Sequence, residues 1–181
     1  MRIFMVGLST FFLALSSTGA EGKSIVNLYQ LPLTVKDFVV GKVITPIVFG
    51  SVFGVVFFSI VVLLFPPLDP ALMIILPVLA IAGATELAFV GLYVGARFPN
   101  FSEAPRASYI SQTASLIAFP LAILMTGVSM SPLLFSIFFS PSLNELLIAF
   151  IATLVMTAVL SFVFFFVASR RVRRLLSELP F

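Results

Sequence analysis

Residues 43–95 read VITPIVFGSVFGVVFFSIVVLLFPPLDPALMIILPVLAIAGATELAFVGLYVG. Two apolar runs, 43–65 and 71–95, flank a break from Pro66 to Pro70. A bilayer core is about 30 Å thick, and about 20 apolar residues of helix cross it. Each run meets that length. Proline lacks a backbone donor and ends a helix, so the PPLDP break forces a sharp turn. The stretch predicts a helical hairpin that crosses a membrane twice.

Charges set the limits of the other segments. Arg2 and Glu21 bracket a first apolar run, 3–18, and the basic cluster RRVRR (Arg170–Arg174) closes a last one, 146–169. Arg106 and Glu145 bracket a gap too long for one crossing; its first part, 110–130, makes the fourth run. The remainder, 131–143, holds Pro132 and Pro141 around an apolar core, too hydrophobic for a solvated loop and too short to cross. A short re-entrant or interfacial helix is the expected solution there. The chain thus reads as one all-α transmembrane domain over residues 1–181, with five spans, cytoplasmic loops at 21–42 and 96–109, and an outer loop at 131–143. Composition agrees. Of 181 residues, 61% are hydrophobic and 9% charged, against about 45–50% and 25% in soluble domains.

The first run has a rival reading: a charged start, a short apolar core and small residues at Ser17–Ala20 resemble a cleaved secretory signal. Lys and Arg favour the cytoplasmic side, and this decides between the two. Five spans place Lys23, Lys36, Lys42, Arg97, Arg106, Arg170, Arg171, Arg173 and Arg174 on one side and Arg2 on the other. Four spans after cleavage would put all nine outside. The expected topology is five uncleaved spans in the cell membrane, N-terminus outside and C-terminus cytoplasmic.

The residue inventory excludes several chemistries. The chain has no Cys and no His, which removes thiolate nucleophiles, disulfides and the commonest metal ligand. No phosphate-binding Gly-rich loop appears. Neither catalysis nor a cofactor is expected, and any ATP hydrolysis belongs to a partner. With so little soluble surface, RRVRR reads as an anchor to anionic lipid at a helix C-terminus, not as a nucleic-acid site.

Two loops carry further information. The first, EGKSIVNLYQLPLTVKDFVVGK (Glu21–Lys42), has an apolar stretch ended by Pro32 and then T-x-x-D from Thr34 to Asp37, the signature of a capping box. A helix is expected to run from there through Lys36 and Lys42 into the second span. The second, GLYVGARFPNFSEAPRASYIS (Gly91–Ser111), carries the FPNF element, Phe98 to Phe101. EGKS, a short helix, LPLT and a lysine entering the next span, followed by this FPNF loop, resemble the permease subunits of prokaryotic type-2 ABC exporters. The likeness covers about 60 residues. It implies a permease that pairs with a second copy or half and binds a separate ABC ATPase subunit. It further implies a coupling role for Glu21, Gly22, Lys23, Tyr29, Pro32 and Lys36, with Arg97, Phe98, Pro99 and Asn100 as the shorter contact. The family's half-permease has six spans and starts inside. The expectation is therefore that this chain is a C-terminal portion, lacking a first span or more.

Within the spans, Glu86 is the one charged residue of the 71–95 run. Such a group costs at least a few kcal/mol in a bilayer unless paired, protonated or hydrated, and marks a candidate functional site. Ala80, Ala84, Ala88, Gly91 and Gly95 form a small-residue stripe on the opposite face. Two G-x-x-x-G pairs, Gly50/Gly54 and Gly91/Gly95, allow close helix approach, with packing inside the chain favoured over a dimer seam. Gln112 opens the fourth run in a polar group with Ser111, Thr113 and Ser115, and structural hydrogen bonding is its favoured use. Two other readings remain open: a secondary transporter or channel-like protein with Glu86 as a coupling or proton site, and a membrane scaffold that transports nothing.

Overall fold

The structure is a computed structural model that describes residues 2–17, 34–64, 72–98, 112–139 and 142–178; the side chains of 2–9, Gln112 and 175–178 are not among those described. Among the described residues five helices follow one another: α1 (Arg2–Ser17), α2 (Val35–Leu64), α3 (Leu72–Arg97), α4 (Gln112–Phe139) and α5 (Leu143–Glu178). Four of them, α2 to α5, are long and apolar enough to cross a membrane. The protein is therefore an all-α, multi-pass membrane protein. Helix α1 has 16 residues, about 24 Å at 1.5 Å per residue, which is short of a bilayer core.

Local chemistry sets the helix ends. At α2 the Thr34 hydroxyl accepts from Asp37 N–H (3.2 Å), and the Asp37 carboxylate accepts from Thr34 N–H (3.0 Å) and the Thr34 hydroxyl (2.6 Å). This reciprocal capping box starts the helix at Val35, eight residues before the apolar run begins. At α5 the Ser142 hydroxyl accepts from Glu145 N–H (3.4 Å) and donates to the Glu145 carboxylate (2.6 Å). At the end of α1, Ser16 and Ser17 donate to Leu13 O and Ala14 O (3.2 and 2.6 Å). Both hydroxyls thereby fold back onto the last turns of the helix.

The outer segment departs from expectation. Residues 131–139 are not a separate re-entrant or interfacial helix with its own loop; they are the last turns of α4, which continues unbroken through Pro132. Pro132 has no N–H for the carbonyl of Val128, four residues back. The Ser131 hydroxyl donates to that carbonyl instead (2.7 Å). A hydroxyl beside the proline thus restores the lost bond, as membrane helices require. The α4–α5 connection then reduces to 140–142.

Helix α3 is central and touches all four others. Helices α1, α3 and α5 run parallel, and α2 and α4 run opposite to them. One apolar cluster joins Ala14, Phe38, Val39, Leu92, Ala96, Ala168 and Val172, which brings together the C-terminal ends of α1, α3 and α5 and the N-terminal end of α2. Another joins Ile75, Leu79, Leu133, Leu146 and Ala149 at the far end. Outward faces are apolar too. On α2, Ile44, Val48, Val52, Val56, Ile60 and Leu63 are exposed, Leu63 at 81%. Water would not tolerate so large an apolar surface, and lipid does.

The two glycine pairs pack within the chain. A Cβ at Gly91 would sit 2.6 Å from the Phe11 carbonyl oxygen and 3.0 Å from Ala14 Cβ, and one at Gly95 would strike the Leu15 carbonyl oxygen. Gly91 and Gly95 therefore let the α1 and α3 backbones touch. Gly50 faces Thr10 of α1, and a Cβ at Gly54 would lie 2.8 Å from Ala80 Cβ of α3.

Candidate functional site: a buried polar lane and a cationic end

Glu86 lies on the face of α3 opposite the small-residue stripe, turned toward α4 and α5. Its neighbours one and two turns on fix the direction: Phe89 meets Phe165 at 5.7 Å and Tyr93 meets Phe164 at 5.8 Å between ring centroids. Glu86 is 1% exposed and faces Ser129 of α4, itself fully buried, whose hydroxyl donates to Thr126 O at 3.2 Å. Its Oε1 has no partner among the described residues.

Three buried hydroxyls follow the same depth on α5. Thr153, Thr157 and Ser161 recur every four residues, so they share one stripe. They are 0%, 2% and 8% exposed, and none of their oxygens has a partner among the described residues. Helices α3 and α5 are parallel, with Leu79 and Ala149 in one cluster and Tyr93 against Phe164. Glu86 is midway between the first pair and the second in α3, and Thr157 is midway in α5. The carboxyl and the hydroxyl stripe therefore sit at one level of the bundle. A buried polar group without a hydrogen bond costs free energy, so four such oxygens together are a specific feature. Thr153, Thr157 and Ser161 form a polar lane along α5 at the depth of Glu86 on α3, able to hydrogen-bond water or a small polar solute. Among the described residues, no three His, Cys, Asp or Glu side chains gather to hold a metal. Next to the lane lies an apolar cavity of about 360 Å³ between α2, α3 and α4, lined by Gly54, Leu79, Gly83, Met130 and Leu133 among others.

The second feature is the charged end. The cations whose side chains are described, Lys36, Lys42, Arg97, Arg170, Arg171, Arg173 and Arg174, lie where α1, α3 and α5 finish and α2 begins, and Arg2 stands at the start of α1. Lys42 Nζ donates to the last carbonyl of α1, Ser17 O, at 3.0 Å and stands 5.5 Å from the Phe38 ring centroid. A cation at a helix C-terminus is favourable, and here it pins α1 to α2. Arg97 Nη1 donates to the Tyr93 hydroxyl at 3.0 Å. Glu145 lies at the opposite end.

Several residues singled out from the sequence fall elsewhere. Glu21, Gly22, Lys23, Tyr29 and Pro32, like Pro99 and Asn100, lie outside the described residues. Lys36 is exposed on the first turn of α2, and Phe98 N–H donates to Val94 O at 3.1 Å, extending the end of α3. Gln112 is the first residue of α4, with its side chain outside the described set. The structure adds Ser129, Thr153, Thr157 and Ser161 to Glu86. The four-residue spacing of hydroxyls within an apolar helix was their one signal in the sequence. Comparison of the chain with protein-family models, with curated proteins and with solved structures finds no match.

Proposed function

We propose that the chain is the membrane-spanning permease component of an ATP-driven exporter of the ABC type, paired with a second permease copy or half and driven by a separate ATPase subunit. The observation that carries this reading is the meeting, at one cationic end, of the helix ends that lead into both motif-bearing segments. Helices α1 and α2 flank residues 18–33 and are joined by the Lys42–Ser17 hydrogen bond; α3 ends at Arg97 beside them. A push on Glu21–Lys36 by a closing ATPase would reach both helices at once, and through the Gly91 and Gly95 contacts it would reach α3. The positive-inside rule assigns the cationic end to the cytoplasm. The C-terminus is then inside, the N-terminus outside, and α1 counts as a fifth crossing.

The buried lane supports a second reading. Glu86 with the α5 hydroxyls would suit a secondary transporter or channel-like protein in which the carboxyl couples to a proton or cation. One experiment separates the two. Tagged chain is purified from membranes in mild detergent, and co-purifying ATPase is assayed for the wild type and for Lys23→Ala and Lys36→Glu. The permease reading expects an ATPase that is lost on these changes. Solute flux in proteoliposomes driven by a pH gradient, with no ATPase present, would sink it and leave the second reading.

A further inference from the structure

The apolar cavity of about 360 Å³ between α2, α3 and α4 has the form of a slot. Helices α2 and α4 both pack on α3 and hardly touch each other, so α3 is the floor and the other two are walls. Three contacts fix the level of each helix. Gly54 stands against Ala80, Gly83 faces Met130, and Leu79 shares a cluster with Leu133. The lining runs from Leu76 to Leu87 on α3 and, in the opposite chain direction, from Ile137 to Thr126 on α4. Each stretch spans eleven residues, about 16 Å at 1.5 Å per residue. Half of a hydrocarbon core of about 30 Å is about 15 Å, so the slot is one leaflet deep. It starts about one turn into α3, at the end remote from the cations, and stops just past the middle of that helix.

The lining decides what can enter. It carries no charged residue, and its two hydroxyl-bearing residues, Thr10 and Thr126, lie at the inner end; the rest are glycines and apolar side chains. At Gly83 the floor is open: an added Cβ would meet only Met130 Cε, at 4.0 Å. Water finds no hydrogen-bond partners in such a space, and an empty one forfeits the dispersion contacts of the atoms that line it. Leu134 and Ile137 on the rim are 48% and 52% exposed, so the slot opens sideways onto the lipid-facing surface. Its volume of about 360 Å³, spread over about 16 Å, gives a mean cross-section of about 22 Å², against about 80 Å² for a helix about 10 Å across. A further helix is too thick for the slot, and a single extended hydrocarbon chain suits it. We propose that the slot binds one acyl chain of a phospholipid from the leaflet remote from the cationic end. The chain lies along Gly83 and Met130, with its terminal methyl near Leu87.

The test uses the full chain in nanodiscs of phosphatidylcholine, a fraction of which carries a diazirine in the middle of one acyl chain. After irradiation, labelled positions are mapped by mass spectrometry. Labelling is expected to concentrate around Gly83 and Met130. It should exceed that of Val48, Val52 and Val56 on the outward face of α2, which are each more than half exposed. Gly83→Leu projects a side chain into the slot and is expected to lose the slot labelling. Gly127→Leu adds the same side chain to α4 at a position that does not line the slot and has nothing within 4 Å of its Cβ; it is expected to label like the wild type. Even labelling of the slot and the outward α2 face overturns the proposal. So does slot labelling that persists in Gly83→Leu or that disappears equally in Gly127→Leu. In native membranes Leu134→Cys, at the rim, is expected to form no disulfide between copies under oxidation. A disulfide-linked dimer would mean that a second copy covers the slot, and it too overturns the proposal. The wild-type labelling map decides the matter even if Gly83→Leu fails to fold.

Discussion

Adding one methyl group at the α1–α3 seam is the sharpest test of the fold. In Gly91→Ala the new Cβ meets a backbone carbonyl oxygen at 2.6 Å and Ala14 Cβ at 3.0 Å; ordinary contact starts at 3.4 Å. The carbonyl belongs to α1 itself and cannot swing aside, so the two helices must separate by about 0.8 Å. Phe11, Ala14 and Leu15, each 0–1% exposed, then lose close contact with α3. Overpacking of this kind costs about 1–3 kcal/mol, while replacing Gly by Ala inside a helix returns about 0.5–1 kcal/mol. The net expectation is a loss of about 1–2 kcal/mol for Gly91→Ala, and more for Gly95→Ala, where the added atom strikes the Leu15 carbonyl more closely. Gly127→Ala is the control: nothing lies within 4 Å of its Cβ, so the propensity gain should stand alone. Unfolding in a detergent titration gives the three values. The chain has no Cys, so a single engineered cysteine pair across α1 and α3 reports their separation without background. Equal stability of Gly91→Ala, Gly95→Ala and Gly127→Ala, with unchanged cross-linking, would refute the close seam.

Three further expectations follow from single sites. Thr157→Val keeps the side-chain shape and removes a buried hydroxyl without a partner, so stability should rise by about 1 kcal/mol; under the transport reading solute flux should fall, and flux that stays level would exclude Thr157 from the path. Ser131→Ala leaves the Val128 carbonyl unserved next to Pro132, which should cost about 1 kcal/mol and speed amide exchange at the end of α4; unchanged exchange around residues 131–135 would show that the hydroxyl is not what carries the helix past the proline. A reporter fused after Phe181 that is active only in the cytoplasm should be active, and a reporter active only outside would reverse the proposed orientation.

Some of this architecture can be read directly from residues. The apolar runs and the PPLDP break locate α2 and α3, because a backbone in lipid has to close its hydrogen bonds within a helix. T-x-x-D at Thr34 marks the start of α2 because the cap is local and needs nothing beyond four residues. The burial of Glu86 follows from the cost of presenting a carboxyl to hydrocarbon. Pro132 misleads for an equally local reason: a proline signals a break, and the Ser131 hydroxyl that repairs it is legible only once its carbonyl partner is seen.

The sequence alone therefore determined the long helical segments, the capped start of α2 and the clustering of cations in segments that would share one side. Each of these depends on a residue and its near neighbours. Only the tertiary structure decided which helices pair. It set Gly91 and Gly95 against the α1 backbone and Glu86 level with Thr157. Between helices in a bilayer no hydrophobic force favours one partner over another, because lipid is as apolar as leucine. Pairing rests on close fit between particular surfaces, and fit is a property of the assembled shape.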